Sequence, residues 1–212
     1  MAREEWLAKL AEGLNGKPVG FSVGRVSLAE IFIALVHHPV VDRNGRVITS
    51  AITSLDLHDL ARSSRTYGVR AVYVVHPVPE QREFARSVID HWRVGHGRNF
   101  DSRRVEALDL IEVVDDLDVA LARATRVAGR RPEVVHTSAR EAKGLSFAAM
   151  RERLAQEDAP SLLIMLGTGF GLAPAVRERA DLALEAIRGI GDYNHLSVRA
   201  AASIILDRLR GR

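Results

Sequence analysis

Short apolar runs alternate with amphipathic stretches along most of this chain, and this alternation constrains its fold more than any other feature. The runs have the length and the content of branched apolar residues typical of buried strands, and the stretches between them have helical periodicity. Strands that alternate with helices predict an α/β fold with a mainly parallel sheet, covered by helices on both faces. The expected strands are IFIALVHHPV from Ile31, VRAVYVV from Val69, LIEVV from Leu110, PEVVH from Pro132, SLLIML from Ser161 and DLALEAI from Asp181.

Local signals predict where several helices begin and end. The stretch LDLHDLARSSRTYG is expected to end at Gly68, and VPEQREFARSVIDHWR begins with a proline in its first turn. The helix DDLDVALARATRVAG opens on acids and closes on Gly129, as helix dipole and capping preferences predict. The basic stretch at 90–104, DHWRVGHGRNFDSRR, is expected to be a loop.

Composition indicates one domain with a short extension. The chain has 212 residues, of which 47% are hydrophobic, which is enough for a substantial core. We expect an N-terminal helical extension and link over 1–30 and a single α/β domain over 31–212. The start lacks the pattern of a signal peptide and no run is long enough to cross a bilayer, so a cytoplasmic protein without a membrane partner is expected.

Several kinds of site are excluded or disfavoured by residue content. The chain has no cysteine, which excludes disulfides, thiolate nucleophiles and cysteine-based zinc sites. His37 and His38 are adjacent on an expected strand and would point to opposite faces, so no metal site is expected there.

The basic side chains are clustered in sequence. The net charge of +3 is nevertheless too small to demand a nucleic acid partner. Arginines interleaved with aromatic residues can bind phosphates and stack on bases. The alternative is that these arginines form a solvated connector and solvent-facing charges. The candidate nucleic acid contacts are Arg65, Arg70, Arg93, Arg98, Arg103 and Arg104.

Three loops follow expected strands and are rich in glycine or small residues: HTSAR, GTGFGL and RGIGDYNHLS. Ligands gather at the carboxyl ends of parallel strands, so these loops are the expected binding site. A nicotinamide-dependent Rossmann enzyme is one alternative. It is disfavoured because GTGFGL lacks the G-x-G-x-x-G spacing and is not followed by a suitably placed acid.

Two motifs resemble the SPOUT, or α/β-knot, class of S-adenosylmethionine-dependent RNA methyltransferases. The pair Ser197-Val198 opens a small-residue helix after a glycine-containing loop, as in the last motif of that class. The segment TSLDLHDLARSSRTYGV is similar to its first motif, with Arg62 at the position of a key arginine and Asp56 at that of a polar residue. The likeness extends over about residues 31–210 and is strongest to a little-characterised bacterial lineage with similar HHPV and YNHLSVR segments.

The resemblance implies a C-terminal trefoil knot, S-adenosylmethionine as cofactor, tRNA or rRNA as substrate, and a homodimer. GTGFGL contains no acid, and His195 stands where ribose-methylating members carry Asn, so the methylated atom could belong to a base or a ribose. A catalytically weak, regulatory RNA-binding member of the class is a further alternative. The cofactor-binding residues implied are Thr137, Leu166, Gly167, Gly169, Gly171, Leu172, Ile187, Gly189, Ile190, Gly191, Tyr193, Asn194, Leu196 and Ser197.

Four side chains are candidates for catalysis. Arg62 is too basic to remove a proton, but it could hold a phosphate or favour the anion of a bound hydroxyl. Asp56, His58 and His195 are candidate general bases, and each histidine could equally be a structural hydrogen-bonding residue. The glycines Gly189 and Gly191 are expected to let the backbone approach the cofactor closely.

Overall fold

The computed structural model describes residues 29–95, 97, 100–141 and 143–211, so nearly all of the N-terminal extension lies outside the described residues. The strands are β1 Ile31–Val36, β2 Val40–Val41, β3 Val47–Ile48, β4 Ala71–Val75, β5 Ile111–Val114, β6 Glu133–His136, β7 Leu162–Gly167 and β8 Leu182–Ala183. The helices are α1 Ser54–Thr66, α2 Pro79–Arg93, α3 Ser102–Leu108, α4 Leu117–Ala128, α5 Phe147–Leu154, α6 Pro174–Arg177 and α7 Val198–Arg210.

Six parallel strands form the central sheet, in the order β5-β4-β1-β7-β6-β8. Strand β1 lies between β4 and β7, with Phe32 opposite Ala71 on one side and Leu163 on the other. The chain builds the sheet outwards from β1 in one direction and then returns to build it in the other. The short strands β2 and β3 form a separate antiparallel pair.

Helices cover both faces of this sheet, which confirms the predicted fold class. One face packs against side chains of α1, α2, α3, α5 and α7, including Leu57, Ile89 and Leu206. The opposite face packs against α4 and α6, through Ala120 and Val176. Strands buried on both faces explain why the apolar runs show no alternation.

The predicted ends of three helices are confirmed. Thr53 caps α1, and Gly68 follows its end in the left-handed conformation, with a φ of 68°. Pro79 is the first residue of α2. The side chain of Asp116 caps α4, which ends at Gly129 with a φ of 74°. These signals are local, and the folded chain retains them.

Three boundaries were predicted wrongly. The first strand ends at Val36, because the chain turns away before it reaches β2. The predicted strand 181–187 is reduced to Leu182–Ala183, since only these two residues pair with β6 and Leu184 forms only an isolated bridge with Leu145. Helix α3 begins inside the predicted basic loop, where the Asp101 side chain accepts from the amides of Arg103 and Arg104. The trefoil knot stays a prediction. Within the described part of the chain, no helix is long and apolar enough to span a bilayer.

Gly144 provides a test of the packing beside the edge strand. A Cβ added at Gly144 would overlap the backbone of Leu184 and Glu185, and backbone cannot move aside as a flexible side chain can. We expect Gly144→Ala to lower the free energy of unfolding by about 1–3 kcal/mol, the usual cost of overpacking. Urea denaturation would measure this. Gly189→Ala is the control, because nothing lies within 4 Å of its added Cβ and its φ is not positive, and an equal loss there would contradict the interpretation.

Candidate functional site

A cavity of about 520 Å³ opens at the carboxyl ends of β6 and β7. The loop after β6, the loop after β7 and the segment that leads into α7 form its walls, together with the N-terminal part of α7 itself. These are the three loops that the sequence analysis singled out. Parallel strands place all of their carboxyl ends on one edge of the sheet, and this places the loops side by side.

The loop after β7 is held in a conformation that requires glycine. Gly169 and Gly171 have φ angles of 60° and 112°, which side chains rarely adopt. The amide of Phe170 donates to the carbonyl of Val41 at 3.0 Å, and the Val41 amide donates to Gly171 at 2.9 Å. A Cβ on Gly167 would lie 2.8 Å from the amide nitrogen of Leu172. The glycines therefore set a fixed backbone cradle on this side of the cavity.

Two hydrogen bonds hold the last residues before α7. Asn194 donates from its side-chain amide to the carbonyl of Ala139 at 2.9 Å, which ties it to the loop after β6. Ser197 caps α7 by accepting from the amide of Ala200 at 3.3 Å, so a helix does begin directly after this residue. These two contacts fix the last residues before α7 against the loop after β6 and the first turn of α7.

Most of the predicted cofactor residues line this cavity, and some do not. Leu172 is buried in the apolar core below the loop. The segment around Gly189, Ile190, Gly191 and Tyr193 is exposed outside the lining, and nothing lies within 4 Å of an added Cβ at either glycine. Those in the lining are Thr137, Leu166, Gly167, Gly169, Gly171, Ile187, Asn194, Leu196 and Ser197, together with Asp56 and His195 from the catalytic candidates.

Asp56 is buried in the cavity wall with both carboxylate oxygens engaged. Thr53 donates its hydroxyl to Oδ2 at 2.6 Å, and Arg199 donates to Oδ1 at 2.9 Å. Arg199 also pairs with Asp59, with 3.3 Å between Nε and Oδ2. Asp56 is thus the anchor of an ion pair between α1 and α7.

Sequence reasoning missed Arg199, although a signal was present. A cation in the first turn of a helix is disfavoured by the positive end of the helix dipole. Arg199 occupies that turn, directly after Ser197-Val198, which indicates a partner elsewhere in the fold. Sequence reasoning also missed several side chains in the lining, which are Ser50, Thr168, Arg140, Glu185 and Ala201.

The structure does not place His58 and Arg62 in the cavity wall. The ring of His58 packs edge-on against Trp92, with 5.6 Å between centroids, and burial, with Arg104 next, lowers its pKa. Arg62 lies on the exposed face of α1, and its side chain forms no ion pair with the described residues. His195 lines the cavity and lies 6.3 Å from Phe170 between ring centroids.

The predicted RNA-contacting arginines differ in how they are held. Arg93 donates to Asp109 and to the carbonyls of Leu108 and Ile111, so it supports the start of β5. Arg104 stacks over Trp92 at 4.3 Å from the ring centroid. Arg65 and Arg70 form ion pairs at 3.3 Å with Glu106 and Glu30, Arg103 is exposed, and Arg98 lies outside the described residues.

A family model described as "SAM-dependent RNA methyltransferase" matches residues 30–211, nearly the whole described chain. The chain belongs to this family. The match includes every side chain of the cavity lining, and S-adenosylmethionine is the cofactor of the family. The residues that bind it are not given by family membership.

Two relatives differ in how much of their own length this chain covers. The chain is 44% identical over 181 residues to a tRNA (guanine-N(1)-)-methyltransferase of Nitratidesulfovibrio vulgaris, covering 85% of this chain and 42% of that protein. It is 38% identical over 183 residues to an uncharacterized protein of Aquifex aeolicus, covering 86% and 89%. The chain therefore spans less than half the length of the tRNA methyltransferase, and the reaction in that name belongs to the longer protein.

Solved structures share the fold. A methylase family protein from Neisseria gonorrhoeae superposes with a TM-score of 0.59 at 16% identity, covering 93% of this chain and 87% of that one. The SpoU methyltransferase AviRb from Streptomyces viridochromogenes, solved with AdoMet, superposes with a TM-score of 0.54 at 16% identity, covering 86% and 57%. At this identity the likeness shows the SPOUT-class fold alone.

Two buried histidines lie behind the cavity. His76 accepts from the amide of Val78 at Nδ1, so its Nε2 carries the proton and donates to the carbonyl of Ser50 at 3.0 Å. His37 is fully buried, and neither of its ring nitrogens has a partner among the described residues. Burial, reinforced by His76, lowers the pKa of His37 to about 4. No cluster of metal-ligating side chains occurs in the parts of the chain that the structure describes.

The neutral state of His37 makes stability depend on pH. The unfolded chain takes up a proton at His37 near pH 6.5, and the folded protein does so only near pH 4, so acid favours unfolding between these values. The contribution of neutral His37 to the free energy of unfolding is fully present above pH 6.5 and is lost as the pH falls towards 4. We expect His37→Leu to reduce the loss in unfolding free energy between pH 7 and 4 by about 3 kcal/mol, at 1.36 kcal/mol per pKa unit. Urea denaturation at both pH values measures this, and parallel curves for the two proteins would contradict it.

Proposed function

We propose that this protein methylates tRNA, with S-adenosylmethionine bound in the cavity at the ends of β6 and β7. The observation that carries the proposal is that cavity, which three separate loops build at one edge of the sheet. Family membership supports the class of reaction and cofactor. The choice of tRNA is supported by the name of the longer relative in Nitratidesulfovibrio vulgaris.

The lining fits a nucleoside-containing cofactor. Its volume of about 520 Å³ lies in the range usual for small-molecule sites. Gly167, Gly169 and Gly171 of the glycine cradle line the cavity without side chains, so amides and carbonyls there can bind polar edges of the ligand. Apolar side chains of Leu166, Ile187 and Leu196 supply surfaces for a flat ring. When bound, the cofactor supplies a methyl group on a sulfonium.

Three side chains of the predicted site have separate proposed roles. Both oxygens of Asp56 are engaged by Thr53 and Arg199, so Asp56 anchors the wall instead of removing a proton. His195 lines the cavity, and its imidazole is the kind of group that most often accepts a proton in enzymes, so it is the proposed general base. Arg62, exposed on α1, is proposed to hold a phosphate of the tRNA.

Exposed apolar side chains on the loops after β7 and before α7 support a homodimer. Phe170, Ile190, Tyr193 and Leu196 are 47%, 111%, 81% and 43% exposed, and together they supply apolar surface on the loops after β7 and before α7. Apolar surface of this kind is typical of an interaction site. A second copy of the chain that covers it would also approach the cavity.

A catalytically weak, regulatory RNA-binding protein is the second candidate. It was suggested by the absence of an acid in the loop Gly167–Leu172. Glu185 reaches the cavity lining from the end of the edge strand and accepts from the amide of Phe147 at 2.8 Å. A carboxylate is therefore present in the site, which favours the enzyme.

Filling the cavity should remove cofactor binding. Ala201 lies on α7 in the lining, and a tryptophan there would occupy the space of the ligand. We expect Ala201→Trp to weaken S-adenosylmethionine binding at least about tenfold, since a displaced ligand loses most of its contacts. Isothermal titration calorimetry measures the affinity. Ala148→Trp, on the exposed side of α5 outside the lining, is the matched control. The proposal fails if the parent protein shows no binding, or if both variants bind equally well.

A variant of Arg62 tests whether methyl transfer can be lost while cofactor binding is kept. Its side chain is exposed and forms no ion pair with described residues, so Arg62→Ala should change the unfolding free energy by less than about 0.5 kcal/mol. We expect methyl transfer to tRNA to fall about 100-fold or more, with S-adenosylmethionine affinity unchanged. Transfer of labelled methyl groups to tRNA measures the rate. Arg126→Ala, exposed on α4 across the sheet, is the control. Unchanged turnover in Arg62→Ala would overturn its proposed role.

A further inference from the structure

Helices α1 and α7 are joined by polar contacts at three levels. The positions on α7 are spaced four residues apart, so they lie on one face of the helix. All three contacts connect chain segments about 140 residues apart, as in the contact between Arg199 and Asp56 with its separation of 143. From the cavity outwards, Arg199 contacts Asp56 and Asp59, Ser203 contacts Ser63 at 2.7 Å, and Tyr67 donates to Asp207 at 3.0 Å.

Of the three contacts, only the one between Arg199 and Asp56 borders the cavity. Asp56 lines it from α1, and Val198 and Ala201 line it from α7 on either side of Arg199 in the chain. The other two levels hold the same helices together further from the cavity. The structure thus separates a contact that borders the site from contacts that only join the helices.

Arg199 is placed to hold this border rigidly. Its planar guanidinium contacts two carboxylates at once, and its side chain is 30% exposed, compared with 9% for Asp56. The positive charge lies in the first turn of α7, where the helix dipole opposes it, so the ion pair must compensate. A partly buried pair of this kind adds little net stability, but it fixes geometry.

We propose that Arg199 is a positioning residue, which holds Asp56 and the first turn of α7 in the arrangement that binds the cofactor. The inference rests on the proposed function. Arg199 acts through the wall that it holds, and without it the buried carboxylate of Asp56 would keep only the hydroxyl of Thr53. An unpaired buried charge recruits water or moves towards solvent, and either change alters the wall.

The test measures S-adenosylmethionine affinity by calorimetry and thermal stability in the parent protein and in variants. We expect Arg199→Met to weaken binding about tenfold or more, because misplacement of a binding wall has effects of this size. Arg199→Lys keeps the charge but cannot contact both carboxylates through one planar group, so we expect an intermediate loss. Tyr67→Phe is the matched control, since it removes the outermost contact only, and we expect its affinity to stay within about twofold of the parent.

A double variant distinguishes positioning from direct contact. Asp56→Asn/Arg199→Met removes both charges and leaves an oxygen that can accept from Thr53, so no buried charge is left unpaired. We expect this variant to bind S-adenosylmethionine within about threefold of the parent, a non-additive rescue that marks coupled residues. It also provides a stable protein if Arg199→Met alone does not fold.

Each other outcome overturns the inference. Equal losses of affinity in Arg199→Met and in the double variant would show that Arg199 contacts the ligand itself. Reduced melting temperatures for Arg199→Met and Tyr67→Phe with unchanged affinity would show that the contact only joins the helices. A parent protein that does not bind S-adenosylmethionine would overturn the proposed function as well, whereas binding in the parent with unaffected variants would overturn the role of Arg199 alone.

Discussion

The burial of β1 is the constraint on which the rest of the structure depends. Every residue from Ile31 to Val36 is at most 1% exposed, and the strand pairs in parallel with β4 on one side and β7 on the other. A strand in that position forces the chain to build the sheet in one direction and then in the other. The loops diverge where this reversal occurs, and a crevice results. The cavity lies beside that point because of the strand order, before any side chain in it is considered.

Much of the fold could be predicted because its signals are local. A run such as Leu162–Leu166 must be buried wherever it lies, and Asp116 caps a helix through neighbours three residues away. The errors occur where the outcome depends on distant partners. Residues 181–187 have the pattern of a strand, but only two of them find a partner in β6, at the edge of the sheet. The start of α3 is an exception, because Asp101 caps it through amides only two and three residues away, a local signal that the reading of the basic stretch as a loop overlooked.

In the candidate site, too, some features could be predicted from the sequence and others could not. The three loops chosen from the sequence do line the cavity, but the close backbone approach was expected at Gly189 and Gly191. Gly169 and Gly171 adopt φ angles that only glycine tolerates easily, whereas Gly189 and Gly191 have neither positive φ nor close neighbours. Composition cannot separate these cases, because the difference lies in what packs against each loop. Arg199 escaped notice for the same reason, since its partner Asp56 lies 143 residues earlier in the chain.

That separation has a consequence for how the site forms. Contacts between residues far apart in sequence carry the largest loss of chain entropy, so they are favoured late in folding, after local helices and neighbouring strands have formed. The wall between α1 and α7 is such a contact, and so is the link between Asn194 and Ala139, 55 residues apart. The cavity is therefore complete only when the last helix has docked on the first. A chain that had formed its sheet but had not docked α7 would lack the partner of Asp56, and so would lack the wall between α1 and α7.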